Sequence, residues 1–248
     1  WKNSSTMGTG TIRYSGSDAF ETFPFLISKL DSLENIGKYL YDFRQQLMQK
    51  IQLGHTKTYN AFHAKEIHAG INETSLQSLD KKAIEKQYGK EVWNLWNYLQ
   101  KTPGTCSIEE AISGIVKLRE LHVEMDKAVL EAYGWSFDSA QEPAIDLRHD
   151  FYEVDYLPEN DRVRFTIHPD ARKEILKRLL ELNHKIFEQE AREGLHKEET
   201  VRKFYEQKGI PVPEEVSKWF KKGKTYKTPK NKSSKVDEPE KGYGDLFG

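Results

Sequence analysis

The chain has 248 residues with 38 Lys+Arg against 39 Asp+Glu, a length that fits one or two domains and a balance that gives no global basic field to draw in a polyanion. Counting Gly in place of Tyr, about 39% of it is apolar, below the ~45–50% of average globular chains, and 31% is charged, while 12% aromatic residues argue against wholesale disorder. The lone Cys106 excludes a disulfide framework or a Cys-rich metal cluster; no apolar run nears ~18 residues and no signal-peptide pattern opens the chain, so no membrane partner is expected and the expected compartment is the cytoplasm.

The sequence opens on Trp1 rather than Met, which reads as a start within a larger protein. Residues 1–10 are small and polar and read as a loop feeding a short strand, Thr11-Ile-Arg-Tyr14. Phe20, Phe23, Pro24 and Phe25 form an aromatic knot in which Pro24 disfavours a helix. The knot has two readings of equal weight: an anchor for a neighbouring domain, or a plug for this domain's own core.

Leu30, Leu33, Ile36, Leu40, Phe43, Leu47 and Ile51 then recur at three- and four-residue steps. They predict a helix over about 31–52, with Asp31 or Ser32 as N-cap and Gly54 as its stop. Residues 54–72 are polar with spaced aromatics and read as a loop. Residues 74–100 return to helical period, with Gly89 as a point of division. Ser107-Ile-Glu-Glu110 is a capping box ahead of an apolar stripe from Ile108 to Val129, predicting a helix over about 108–133 stopped by Gly134. Residues 136–150 read as loop. The alternating runs 151–156 and 162–167 predict a β-hairpin. Helices are expected over about 170–192 and 196–208, with a short one around Trp219-Phe220. Between Val216 and Val236 there are eight Lys and no acid, and this tail is expected to be disordered.

Few motifs carry chemistry. Gly8-Thr-Gly10 supplies a G-x-G, but Arg13 stands where a third glycine is needed and no buried strand precedes it, so a flexible loop is the better reading. His63 and His68 are five apart, neither i,i+3 nor i,i+4, and Asp146-Leu-Arg-His149-Asp150 is an ordinary polar loop cluster; neither makes a strong metal site. Asp170 and the Glu206-Gln-Lys208 run fall in charged helical stretches, which fits a solvated face better than a nuclease centre. Cys106 precedes a helix cap, where a helix N-terminus could lower its pKa; the plain alternative is a small loop residue. A base-methylating loop needs adjacent prolines beside Asn or Asp and an aromatic, and no two of the nine prolines are adjacent. Groups able to contact DNA phosphates are Arg13 and Tyr14, the Thr56-Lys57-Thr58 triplet, and Lys221, Lys222 and Lys224 of the tail. For the tail a solvated linker is the simpler reading.

Four segments together resemble one family. Ile12-Arg-Tyr-Ser-Gly-Ser-Asp-Ala-Phe-Glu-Thr-Phe-Pro-Phe25, Thr56-Lys-Thr-Tyr-Asn-Ala-Phe-His63, Leu118-Arg-Glu-Leu-His-Val-Glu-Met-Asp-Lys-Ala-Val-Leu-Glu-Ala-Tyr-Gly-Trp135 and Arg164-Phe-Thr-Ile-His-Pro-Asp-Ala-Arg-Lys-Glu-Ile-Leu-Lys-Arg-Leu-Leu-Glu-Leu-Asn-His184 follow the order of blocks in large adenine-specific DNA methyltransferases. These belong to the combined restriction–modification, type IIG-like group. The resemblance implies the end of a target-recognition domain over 1–25, a helical C-terminal domain over 26–220 with its hairpin near 151–167, and the tail over 221–248. The fold class expected is mainly α with a small β-hairpin, α+β. The resemblance implies transfer of a methyl group from S-adenosylmethionine to adenine N6 by a parent enzyme that some members join to a nuclease. It implies double-stranded DNA and the catalytic methyltransferase domain, on the same or a separate chain, as partners. The glycine cofactor motif and the catalytic loop have no counterpart here, so no catalytic, cofactor-binding or metal residue carries over and this chain alone is expected to be inactive. The alternative is a stand-alone helical DNA-binding or adaptor protein. At the end, Asp245-Leu-Phe247 resembles short peptides that dock on the bacterial replication clamp, without their upstream Gln.

Overall fold

The computed structural model describes residues 5–8, 11–14, 23–24, 30–139, 142–155 and 157–221. The fold is mainly α with small antiparallel hairpins. In chain order the elements are β1 (Ser5–Gly8), β2 (Thr11–Tyr14), α1 (Leu30–Ile51), α2 (His55–His63), α3 (Glu73–Gln77), α4 (Lys81–Tyr88), α5 (Lys90–Lys101), α6 (Ile108–Ala132), β3 (Asp150–Glu153), β4 (Val163–Thr166), α7 (Pro169–Arg192), α8 (Glu198–Gln207) and α9 (Glu214–Lys221). Among the described residues no helix is long and apolar enough to cross a membrane. Contacts divide the chain into two compact units, Trp1–Leu180 and Glu181–Gly248.

The first unit is built on α1 and α6. A Cβ on Gly37 would stand 3.3 Å from Met125, and one on Gly114 would stand 2.4 Å from Leu47. Residue 37 therefore faces 125 while 47 faces 114, so the two helices run antiparallel, and Gly114 is what lets them approach so closely. Lys50 and Glu110 close that end at 2.8 Å. Helix α6 starts as its sequence demands: Ser107 Oγ accepts from the Glu110 amide while the Glu110 carboxylate accepts from the Ser107 amide. Its Ile108, Ile112, Ile115 and Leu118 join Leu47, Ile51, Phe62, Leu76, Ile84, Val92, Leu95 and Trp96 in one core.

A smaller core of Leu130, Ile145, Leu147 and Ala171 lies beyond it, bounded by Arg178, which is buried between the Glu174 carboxylate at 2.9 Å and the Pro143 carbonyl at 2.7 Å. Beside this core Phe23 lines an apolar groove with Val129, Leu130, Trp135 and Ile175, and Tyr133 Oη donates to the Pro24 carbonyl at 2.9 Å. Of the aromatic knot, Phe23 stays 43% exposed, and Phe20 and Phe25 lie outside the described residues. In the second unit Ala191, Val201, Tyr205 and Val216 are buried against Phe187, Phe204 and Phe220.

Four expectations are corrected. The stretch 54–72 is not all loop, because 55–63 forms α2. Asp31 and Ser32 lie inside α1 rather than capping it. The region 74–100 is three helices: Asp80 caps α4 by accepting from the Ala83 amide, and Gly89, at φ +93, turns the chain between α4 and α5. Residues 5–8 are a strand, paired with β2 in the register Ser5↔Tyr14 to Gly8↔Thr11. The predicted hairpin is β3–β4, with Phe151 opposite Phe165 and Tyr152 opposite Arg164.

Candidate functional site

Helix α2 has a narrow inward stripe, Thr58, Ala61 and Phe62. Its N-terminal end has no side-chain cap, and its C-terminal end is only partly satisfied by local backbone amides. Gly54, extended at φ −68 and ψ 165, occupies the N-cap with no side-chain cap, and the first turn holds no acid. At the other end a residue far along the chain supplies further partners. Arg119 of α6, only 7% exposed, donates from Nε to the Phe62 carbonyl at 2.8 Å, from Nη1 to Ile67 at 2.5 Å and from Nη2 to Ala61 and Ala64 at 3.2 and 2.8 Å. Its guanidinium carbon stands 5.0 Å from the Phe151 ring centre and 5.7 Å from that of Phe165, a cation–π arrangement with both strands of the hairpin. Burial pulls the guanidinium down to about 10, with Glu66 opposing, so it stays charged at neutral pH.

A histidine and aromatic cluster surrounds this joint. Tyr59 Oη and His122 Nε2 are 3.0 Å apart, and His149 Nε2 and Asp126 Oδ2 are 2.8 Å apart. Phe62 packs edge-on against Phe165 at 5.6 Å between ring centres. His63 Nδ1 is buried with no hydrogen-bond partner. Burial first, then the Arg164 charge, holds its imidazole down at about 4, so it is neutral at physiological pH. Burial also lowers His122. The cluster contains no Ser, Cys or Lys and offers no activated nucleophile. Among the described residues no group of three or more His, Cys, Asp or Glu could hold a metal ion.

On the other side of α2 a groove of about 440 Å³ with a mixed polar and apolar lining runs against α5; Lys57, Asn60, Asn97, Tyr98 and Lys101 line it together with Leu53, Ala61 and Leu95. Lys57 Nζ lies 5.4 Å from the centre of the Tyr98 ring, and Tyr98 Oη donates to the Gln52 carbonyl at 2.5 Å.

The sequence-derived DNA residues separate on this frame. Thr56 and Lys57 are exposed on the first turn of α2. Thr58 is fully buried, and its hydroxyl donates to the Gly54 and Leu53 carbonyls at 3.1 and 3.4 Å; it belongs to the packing face and presents nothing to a phosphate. Arg13 and Tyr14 lie in β2 opposite Thr6 and Ser5, with their side chains outside the described part. Lys221 is the last residue of α9, its side chain likewise outside, and Lys222, Lys224 and Asp245-Leu-Phe247 lie outside the described residues altogether.

Other motifs resolve plainly. Cys106 is raised, not lowered: partial burial and the Glu110 carboxylate outweigh the nearby Lys50. Asp146 faces Arg148 at 3.5 Å and Lys208 faces Glu188 at 2.6 Å, ordinary ion pairs. Gly8 ends a strand that is followed by its antiparallel partner, whereas an S-adenosylmethionine loop leads from a strand into a helix N-terminus. The residues here do not fit that cofactor.

Sequence reasoning missed Arg119, His122 and Lys101, which carry no local signature; only the fold brings them to α2. Comparison with protein-family models, with curated proteins and with solved structures finds no match.

Proposed function

We propose that the chain is the DNA-holding helical part of a site-specific adenine-N6 DNA methyltransferase of the type IIG-like restriction–modification group, working in the cytoplasm and contributing no catalytic or cofactor-binding group of its own. Its partners are double-stranded DNA and the catalytic methyltransferase domain, which uses S-adenosylmethionine.

The observation that carries the reading is the meeting of three of the four family-like blocks. Arg119, in the third block, donates to the Ala61 and Phe62 carbonyls of the second. Phe165, in the fourth, packs on Phe62 of the second and under the Arg119 guanidinium. Segments about 50 and 100 residues apart in sequence thus supply the interlocking residues of one joint, as expected if they resemble a single module rather than three unrelated stretches. That module presents Thr56 and Lys57 on a helix N-terminus, a disposition suited to phosphate oxygens.

The test is N6-methyladenine mapping by long-read sequencing in cells that make the protein, with the coding region intact or with residues 55–192 deleted. Loss of methylation at one sequence motif is expected. An unchanged genome-wide pattern, or no N6-methyladenine motif in either strain, refutes the reading.

A further inference from the structure

We propose that the groove between α2 and α5 grips the phosphodiester backbone of duplex DNA, and that Asn60, Asn97 and Lys101 belong to this grip together with Lys57. The inference rests on the DNA-holding reading and adds the place and the residues.

Several lysines elsewhere on the described surface are held in ion pairs, Lys50 on Glu110, Lys117 on Glu120 and Glu124, Lys203 on Glu199 and Lys208 on Glu188, while others, Lys82, Lys86 and Lys90 among them, are not. Lys57 and Lys101 line one groove and neither makes an ion pair among the described residues. Lys57 is instead held over the Tyr98 ring, whose hydroxyl is tied to the Gln52 carbonyl, so the ammonium is steered toward the groove without being neutralised. The amides of Asn60 and Asn97 line the same groove and make no hydrogen bond among the described residues. The uncapped, acid-free first turn of α2 reaches the groove through Lys57, at the positive end of the helix dipole. Glu91 is the one acid lining the groove, and it accepts from the Asn94 amide at 3.2 Å.

Lysine ammoniums, asparagine amides and helix N-termini are the groups that proteins set against phosphate and sugar rather than against base edges. Lys57 stands over one face of the Tyr98 ring, which makes that face a poorer platform for an unstacked base.

The experiment is fluorescence anisotropy of the full chain with a short labelled duplex, titrated at ~50 to ~200 mM salt, with circular dichroism to check that each variant folds. Wild-type affinity should fall linearly on a log–log plot. Lys57→Ala/Lys101→Ala should bind about tenfold more weakly at low salt, with a slope shallower by about 2, one for each lost phosphate contact. Asn60→Ala/Asn97→Ala should weaken binding with the slope unchanged, because neutral groups release no counterion. Glu91→Gln should tighten binding, which a merely structural role would not produce. If wild type binds but the double lysine variant keeps its affinity and slope, the groove is overturned while the DNA-holding reading stands. If a free mononucleotide binds the groove and duplex does not, or if wild type shows no binding at low salt, the proposal is overturned.

Discussion

Replacing Arg119 by leucine should destabilise the first unit by about 3 kcal/mol. Four carbonyls accept from this guanidinium, but they do not suffer equally. Ala61 and Ala64 keep backbone donors, the amides of Ala64 and Ile67, each at 3.2 Å. Phe62 and Ile67 accept only from Arg119 among the described hydrogen bonds. Leaving two buried carbonyls unpaired costs roughly 1–3 kcal/mol apiece. Lost contact with Phe151 and Phe165 adds on the order of 1 kcal/mol. Against this, leucine escapes the burial penalty that pulls the guanidinium down to about 10, a relief of up to about 3 kcal/mol. The unpaired carbonyls outweigh the relief, and the balance is a large share of the ~5–15 kcal/mol that holds a domain together. Lysine should cost somewhat less, since it keeps the charge but loses the fork that reaches four oxygens. Urea unfolding followed by fluorescence, with Trp93 and Trp96 reporting from the core, measures the loss. Hydrogen exchange should show the α2 amides opening first. An Arg119→Leu variant within ~1 kcal/mol of wild type would refute the argument: desolvation would then cancel the hydrogen bonds, and α2 would be held by its apolar stripe alone.

Three other outcomes are expected. Gly89→Ala should lower stability by about 2 kcal/mol in the same urea assay, because its φ of +93 strains an L-residue and the new Cβ would lie 2.6 Å from Glu66 Cγ; a neutral substitution would mean that the α4–α5 turn shifts freely. Lowering the pH from about 6.5 to about 4.5 should weaken the fold by up to 2–3 kcal/mol through His63, whose pKa is lowered to about 4 in the folded chain, so the unfolded state binds the extra proton first and stability falls as pH falls through this window. His63→Asn should flatten that dependence, leaving the contributions of His122 and His184, which burial lowers in the same direction; an unchanged pH profile in the variant would sink the assignment. Gly54→Asp should raise thermal stability slightly, by about 0.5 kcal/mol through capping, while weakening duplex binding several-fold, and tighter binding would contradict the placement of DNA at the α2 N-terminus.

How much was legible in the sequence depended on whether an element carried its own signals. Helix α6 did: its capping box lies within four residues and its stripe recurs along its whole length. The β3–β4 hairpin was legible from alternation, and α7 and α8 from apolar period. Strand β1 was not, because Ser5-Thr-Met-Gly8 has little strand propensity and is defined by its ladder to β2. Helix α2 was hidden for a stronger reason. Nine residues with three inward positions are too few to show a period, and such a helix is too short to hold in isolation. Further partners of its last carbonyls come from Arg119, more than 50 residues later. Of the candidate site, Thr56 and Lys57 were named from the sequence. Thr58 was named with them because adjacent polar residues look alike until a helix sends one of them inward. Lys101, Asn60 and Asn97 join only once α5 lies beside α2.

The exception at α2 is informative about what the fold protects. Asn72 caps α3, Asp80 caps α4 and Ser107 caps α6 with side-chain hydrogen bonds; α5 and α8 lack such a bond but carry Glu91 and the Glu198–Glu199 pair in their first turns. Among the helices whose N-caps are described, α2 alone has neither. A serine or aspartate at position 54 is sterically free, since nothing stands within 4 Å of a Cβ there and its φ is an ordinary −68. Local signals elsewhere agree with the fold, and disagreement between levels is expected to concentrate where a site is in use. A buried arginine secures the C-terminal end of α2 while its N-terminal end keeps its amides and Lys57 unneutralised. That asymmetry leaves the first turn of α2 open to an anion, as the proposed DNA-holding reading expects.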